Sequence, residues 1–117
     1  PVSDFLATAA LEHFRAFVDP AVVTLRSNRA ALLETVRRVS GLSLVSPEGG
    51  VTAFPAYAYP VLSDAFARGL IERFSVFVLP GSAFEREGHI RINFGGDPVS
   101  FRDALRLFEM YCVDKVM

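Results

Sequence analysis

Arg91 is the residue whose type and sequence surroundings are best suited to binding chemistry. Three apolar residues, Ile90, Ile92 and Phe94, alternate with polar ones around it. In a β-strand this alternation places Arg91 on the face opposite the three apolar side chains. A planar guanidinium binds a carboxylate through two parallel hydrogen bonds, a geometry that lysine does not reproduce. We therefore predict that Arg91 binds a carboxylate. A solvent-facing arginine and a structural ion pair are the alternatives that the residues leave open.

Ser82 and His89 are the other polar residues that the sequence places close to Arg91. Ser82 ends a Pro-Gly-Ser turn after the apolar run 76–79, and sites often form where strands end. His89 precedes Arg91 by two residues, so that in a strand the two side chains share a face. One histidine without a second ligand or an acidic partner makes neither a metal site nor a catalytic pair. Ser82 is therefore a candidate site residue or part of an ordinary turn, and His89 receives no chemical role.

The sequence lacks the residues of a complete active site. It has no glycine-rich phosphate-binding loop, no cluster of His, Cys and Asp, and no Ser–His–Asp arrangement. Its only lysine, Lys115, is two residues from the C-terminus. We predict that the chain binds no metal and runs no reaction unaided. Arg91 and Ser82 would then belong to a site that another protein segment completes.

The size and composition of the chain suit one domain that is partly covered by another protein segment. Its 117 residues can form one hydrophobic core, and 51% of them are hydrophobic. That fraction is high for a small domain, which has much surface. The net charge of −1 predicts binding neither to nucleic acid nor to a membrane surface. No apolar run approaches the ~20 residues that a membrane span needs.

Cys112 is the single cysteine of the sequence. It excludes an internal disulfide and is typical of a reducing compartment, so we expect a cytoplasmic protein. Because Cys112 lies on the apolar side of a predicted helix, we expect a core residue rather than a nucleophile.

An α+β order of elements is predicted to position these residues. Helices are predicted over residues 2–18, 20–40, 63–74 and from 100 onward, and strands over 42–46, 51–54, 76–79 and 89–94. Asp19-Pro20 is expected to begin the second helix, as its cap and its first residue. Residues 47–50 are expected to turn the first strand back on the second. The prediction is a small, mainly antiparallel sheet of three to four strands, covered on one side by helices and preceded by a long N-terminal helical segment.

Local signals give further expectations at helix ends and in loops. Ser63 and Ser100 are predicted to cap the third and fourth helices, with Asp103 completing a capping box. Glu85 and Glu87 are predicted to be solvated loop residues. The first helix carries apolar side chains on every side, so we expect it to pack on a partner outside this chain.

Several segments together resemble the class I and II aminotransferases, which are pyridoxal-phosphate enzymes of the aspartate aminotransferase fold. Residues 47–54 are similar to the family's Pro-x-Gly-Gly-aromatic hairpin, and residues 80–82 match its Pro-Gly-Ser turn. Residues 88–94 are similar to its Gly-x-x-Arg-hydrophobic-x-Phe strand, and residues 101–107 resemble its closing helix. Many relatives have Gly after the Phe of Pro-Gly-Ser-x-Phe, whereas this chain has Glu85. The resemblance covers essentially the whole chain.

The resemblance implies that residues 1–117 form one C-terminal small domain of an enzyme whose large domain lies upstream. It implies that Arg91 binds the α-carboxylate of an amino-acid substrate and that Ser82 lies near the active site. The Schiff-base lysine and the residues that bind pyridoxal 5′-phosphate would lie in the large domain. The chain alone is therefore expected to hold no catalytic residue, bind no cofactor and be inactive. The parent enzyme would be a cytoplasmic homodimer that moves an amino group between an amino acid and a 2-oxo acid.

Two other functions remain compatible with these residues. A β-lyase, a decarboxylase or an acyl-CoA-condensing synthase of the same fold would use the same carboxylate-binding arginine. A non-catalytic α+β module that senses amino acids or mediates dimerisation would also suit a small sheet with helices. The departure at Glu85 bears on the loop conformation and the substrate subclass, and leaves the role of Arg91 unaffected.

Overall fold

The computed structural model describes residues 1–116 and has the predicted α+β fold, with one strand that the sequence did not predict, Ala56–Tyr57. Its four α-helices are α1 Val2–Glu12, α2 Phe14–Arg38, α3 Ser63–Phe74 and α4 Pro98–Val116. Its five strands are β1 Leu42–Ser43, β2 Thr52–Ala53, β3 Ala56–Tyr57, β4 Leu79–Pro80 and β5 Ile90–Asn93, and a 3₁₀-helix covers Gly81–Phe84. Among the described residues, no helix is both long enough and apolar enough to cross a membrane.

β5 is the central strand of a three-stranded antiparallel sheet, with β2 and β4 on its two sides. Arg91 in β5 pairs with Leu79 in β4. β1 and β3 form a separate antiparallel pair, and one bridge from Ala56 to His89 joins the two pieces. The predicted small antiparallel sheet is therefore confirmed, although its ladders are short.

The predicted hairpin between β1 and β2 is wrong, because β1 pairs with β3 and β2 pairs with β5. Arg29 of α2 explains the difference. Its Nε donates to the Pro47 carbonyl at 2.7 Å, and its Nη2 donates to Ser46 Oγ at 2.8 Å. These bonds hold the segment after β1 against α2, so the chain does not turn back there. Gly50, with a φ of +74°, then redirects the chain before it pairs with β5.

The strands are also shorter than the apolar runs that predicted them. Ladder pairing covers residues 42–43, 52–53, 79–80 and 90–93, in place of the predicted 42–46, 51–54, 76–79 and 89–94. Residues 76–78 have no ladder partner in the described part of the chain, although Val78 is buried. An apolar run reports burial of side chains, whereas a strand also needs a neighbouring backbone to pair with.

The first helical segment breaks at His13 rather than at Asp19-Pro20, so the predicted start of the second helix is wrong. His13 has a φ of −108° and a ψ of 29°, and its carbonyl accepts the Ala16 N–H at 3.0 Å. Pro20 instead lies inside α2. It removes one backbone donor, and the carbonyl that loses this bond belongs to exposed Ala16, where water can replace the missing donor.

Three helices, α2, α3 and α4, pack on one side of the sheet and form the core with its inner face. Ile90, Ile92 and Phe94 are buried in this core, which confirms the predicted alternation in β5 and leaves Arg91 on the other face. Cys112 is fully buried, and burial raises the pKa of its thiol to about 12. It is an inert core residue, as predicted.

Both predicted serine caps are wrong. Ser63 is the first residue of α3, and its N–H bonds to a distant carboxylate described below. α4 begins two residues earlier than predicted, and Asp97 accepts the Ser100 N–H at 3.0 Å. This hydrogen bond lowers the pKa of the Asp97 carboxyl. Asp103 pairs with Arg106 instead of closing a capping box.

Apolar side chains project from α1 on all sides, and none of its residues is buried. We call the exposed set at and after this helix the apolar N-terminal surface. It comprises Phe5, Leu6, Leu11, Phe14 and Phe17.

Candidate functional site

Arg91 lies on the central strand of the sheet, on the face opposite the helices. Its guanidinium carbon is 5.0 Å from the centroid of the Phe84 ring. The side chain is partly exposed, and among the described residues it makes neither a hydrogen bond nor an ion pair. One alternative raised by the sequence was a structural ion pair, and Arg91 has no acidic partner for it in this part of the chain. The donors of the guanidinium are open to a ligand.

Three aromatic side chains form a continuous surface next to Arg91, which we call the aromatic platform: Phe84, Phe54 and His89. The Phe84 and Phe54 rings meet edge to face, with centroids 5.8 Å apart and an interplanar angle of 82°. The Phe54 ring stacks on His89 at 4.9 Å and 22°. His89 thus belongs to the same surface as Arg91, as its position two residues before Arg91 in the strand predicted. Reasoning from the sequence assigned Phe84 and Phe54 no place at the site, although Phe84 stands in the Pro-Gly-Ser-x-Phe pattern.

Gly81 allows the turn that carries Phe84 to close tightly against the start of β5. A Cβ at this position would overlap the carbonyl oxygens of Arg86 and His89. The Gly81 N–H donates to the His89 carbonyl at 2.8 Å, and its carbonyl accepts the Arg86 N–H at 2.9 Å. The turn therefore requires glycine for close approach, and its geometry fixes where Phe84 projects.

Ser82 and Glu87 attach this turn to the N-terminus of α3. The Ser82 N–H donates to the hydroxyl of buried Ser63 at 3.0 Å. The Ser63 N–H in turn donates to the Glu87 carboxylate at 2.9 Å. That hydrogen bond lowers the pKa of Glu87. The prediction that Glu87 is only a solvated loop residue is therefore wrong. Ser82 itself is exposed, on the same turn as Phe84.

Asn28 holds the end of β5 to α2, a role that the sequence did not indicate. It is fully buried, and its Nδ2 donates to the carbonyls of Phe94 and Gly96 at 2.9 and 2.8 Å. Its Oδ1 has no hydrogen-bond partner among the described residues. The strand that carries Arg91 is therefore fixed at both ends, by the Gly81 turn and by Asn28.

The surface formed by Arg91 and the aromatic platform contains no lysine that could hold a cofactor. Lys115, the only lysine, lies on α4 with its Nζ 5.1 Å from the centroid of the Tyr111 ring, outside the aromatic platform. Within residues 1–116, no group of three or more His, Cys, Asp and Glu residues could hold a metal ion. The site offers one guanidinium with open donors beside an aromatic surface, which suits a molecule that bears a carboxylate.

Known proteins are similar to this sequence over most of its length. The family model described as aminotransferase class I and II matches residues 2–108. Capreomycidine synthase from Streptomyces vinaceus is 35% identical over 96 residues, which cover 80% of this chain and 24% of the relative. Aspartate aminotransferase from Pyrococcus horikoshii is 25% identical over 116 residues, which cover 92% of this chain and 30% of the relative.

Solved structures share the fold. A PLP-dependent aminotransferase from Streptococcus suis matches 96% of this chain with a TM-score of 0.91 and 23% identity, over 30% of its own chain. The PLP-dependent cyclase OrfR matches 97% of this chain with a TM-score of 0.89 and 26% identity, over 32% of its own chain. This chain thus spans 24 to 32% of each of these four relatives. By its match over residues 2–108, the chain belongs to the class I and II aminotransferase family.

Proposed function

We propose that this chain is the small domain of a pyridoxal-phosphate-dependent aminotransferase and that Arg91 binds the α-carboxylate of its substrate. One observation about Arg91 supports the proposal. Its guanidinium lies on the open face of the sheet and has no hydrogen-bond or ion-pair partner among the described residues. Two parallel hydrogen bonds from its guanidinium would fix the orientation of a bound amino acid. The parent enzyme would move an amino group between an amino acid and a 2-oxo acid.

In this proposal, the catalytic residues and the cofactor belong to a large domain upstream of this chain. The lengths of the relatives support it, since the chain spans 24% of capreomycidine synthase and 30% of aspartate aminotransferase. Members of the family depend on pyridoxal phosphate, whose electron-sink chemistry would be supplied from that domain. The contribution of this chain is to bind and orient the substrate carboxylate. Ser82, exposed on the turn that carries Phe84, would lie near the bound substrate.

The apolar N-terminal surface would pack on that large domain in the proposed enzyme. The exposed fractions of Phe5 and Leu11, 73% and 75%, support a partner at this place. The parent enzyme would be a homodimer in the cytoplasm, and the single cysteine, Cys112, accords with a reducing compartment.

Arg91→Lys in the parent enzyme tests the proposed carboxylate contact. Lysine keeps the positive charge but loses the planar fork, so KM for the amino acid should rise about 10- to 100-fold while kcat changes less. Steady-state kinetics with both substrates measure the two constants. Arg68→Lys is a matched control, because Arg68 pairs with Asp64 on the exposed side of α3, and KM should stay unchanged. Unaltered kinetics in Arg91→Lys would contradict the proposed contact.

A second candidate is a pyridoxal-phosphate-dependent enzyme that cyclises its substrate. One comparison favours it: the TM-score of 0.89 and the 26% identity to a PLP-dependent cyclase. Arg91 would hold a substrate carboxylate in the same way in either reaction. Mass spectrometry of the products separates the two candidates. Amino transfer requires an acceptor and yields a 2-oxo acid, whereas cyclisation keeps the nitrogen in the product and needs no acceptor.

A further inference from the structure

We propose that Phe84 is a positioning residue for Arg91, whose guanidinium it supports on one side so that the N–H groups stay directed at the substrate carboxylate. This inference rests on the carboxylate-binding role proposed for Arg91. The guanidinium carbon lies 5.0 Å from the Phe84 centroid, within the range of a cation–π contact. No described residue forms a hydrogen bond or ion pair with the guanidinium, and this ring is the aromatic contact that would orient it.

An aromatic ring suits this task for a chemical reason. The five N–H donors of a guanidinium lie in its plane, and a ring beside the plane attracts the cation without using any of them. An acidic neighbour at the same place would occupy the donors that a substrate carboxylate needs. An aliphatic neighbour would give packing without the electrostatic attraction. Phe84 can therefore order Arg91 without competing with the substrate.

Phe84 is itself held from two directions. Its ring meets Phe54 edge to face at 5.8 Å, and Phe54 stacks on His89 at 4.9 Å. Its backbone ends the turn that Gly81 closes against the His89 carbonyl at 2.8 Å. The Phe84 side chain still remains 43% exposed, so a molecule that approaches Arg91 also meets this ring. A fixed ring of this kind can restrict the rotamers of Arg91.

A purely structural role is the competing explanation, in which Phe84 only covers Phe54. The two explanations differ in what the ring does for the substrate. If Phe84 orients Arg91, removing the ring weakens binding of a carboxylate even when the fold is intact. If Phe84 only covers Phe54, replacing Phe84 changes the free energy of unfolding and leaves KM for the amino acid unchanged.

The kinetic experiment uses four variants in the parent enzyme loaded with its cofactor. Phe84→Leu should raise KM for the amino acid about three- to tenfold with less than about a twofold change in kcat. Phe84→Tyr keeps the ring and should stay within about twofold of the parent in both constants. Phe84→Met has similar volume without a ring and serves if the leucine variant folds poorly. Phe77→Leu removes an aromatic side chain that is 70% exposed and is not part of the aromatic platform, and should leave both constants unchanged.

A second measurement reports the contact without any reaction. In enzyme with ¹⁵N-labelled arginine, the Nε–H NMR signal of Arg91 is assigned by its loss in Arg91→Lys. The ring current of Phe84 should displace this signal from the range of exposed arginines. Phe84→Leu and Phe84→Met should move it back to that range, and Phe84→Tyr should keep it in place.

The outcomes separate this inference from the proposed function. A raised KM together with a lost ring-current shift in the leucine and methionine variants, both retained in Phe84→Tyr, supports the positioning role. An unchanged KM in Phe84→Leu overturns it, as does a Phe84→Tyr enzyme as impaired as Phe84→Leu. If Arg91→Lys leaves KM unchanged, the carboxylate contact itself fails and the positioning role falls with it. That failure is visible in the Arg91 variant alone.

Discussion

Glu85 has a backbone conformation that glycine adopts more easily, with a φ of 56° and a ψ of 34°. Its N–H donates to the Ser82 carbonyl at 3.1 Å and so completes the turn that carries Phe84. Glycine enters this left-handed region without a steric penalty. The loop of this chain therefore keeps the left-handed conformation despite the glutamate, at a local conformational cost.

Glu85→Gly should stabilise the chain by about 0.5–1 kcal/mol. Relief of the left-handed residue contributes about 1–2 kcal/mol, and the greater freedom of glycine in the unfolded state offsets part of it. Urea unfolding of the 117-residue chain measures the change in the free energy of unfolding. Glu48→Gly is the matched control, because Glu48 is an exposed loop glutamate without a positive φ. The control should be neutral or destabilising, and equal effects at the two positions would contradict the explanation.

The N-terminus of α3 is capped by a residue that follows it in the sequence, on the loop that carries the candidate site. The Glu87 carboxylate accepts the Ser63 N–H, and a negative charge is favourable at a helix N-terminus. The Ser63 hydroxyl accepts the N–H of Ser82. One set of contacts therefore stabilises the helix and also holds the turn with Phe84 in place.

Glu87→Gln should alter how the stability of the chain depends on pH. The pKa of Glu87 is lowered in the folded chain from an ordinary value of 4.5, mainly by the hydrogen bond from the Ser63 N–H. Its stabilising contribution is therefore fully present above about pH 4.5 and is lost as pH falls through the lowered pKa. The difference in melting temperature between the original chain and Glu87→Gln should be largest near pH 7 and vanish in acid.

A matched variant separates the contact of Glu87 from a simple loss of charge. Glu85→Gln removes one negative charge from the same loop, where its carboxylate makes no hydrogen bond with a described residue. If both variants follow the same curve of melting temperature against pH, the cap at Ser63 does not cause the acid dependence.

The elements that the sequence predicted well are those defined by a local period. In α4, the apolar stripe of Phe101, Leu105, Phe108 and Cys112 is buried as the helical spacing requires. In β5, simple alternation was enough to place Arg91 opposite the core. The pairing of β1 and the cap of α3 could not be predicted, because Arg29 and Glu87 impose them from distant parts of the sequence.

Some features of the candidate site likewise follow from neighbouring residues, whereas others depend on contacts between distant segments. The position of Arg91 on an open face followed from its immediate neighbours, and the Pro-Gly-Ser pattern marked the turn at Ser82. The support of Arg91 by Phe84, and of Phe84 by Phe54, depends on how the turn closes against β5. Such a contact between separate segments cannot be predicted from a periodic pattern in the sequence.

The whole molecule is elongated, with extents of 54, 26 and 25 Å. α2 alone has 25 residues, a length of about 38 Å, and α1 precedes it. The core lies where α2, α3 and α4 meet the sheet, while α1 has no buried residue. The apolar N-terminal surface is therefore the part of the molecule that another protein segment would most stabilise by covering it.

Phe5→Ser distinguishes an apolar N-terminal surface that stays free from one that packs on a large domain. Phe5 is 73% exposed in this chain, so the substitution should change its free energy of unfolding by less than about 0.5 kcal/mol. In the parent enzyme the same substitution should cost about 2–4 kcal/mol, because it removes a phenyl group from an apolar interface. Denaturant unfolding of both proteins measures the two values, and Glu12→Ser on the same helix should have little effect in either. A small effect of Phe5→Ser in both would mean that α1 remains exposed in the parent enzyme.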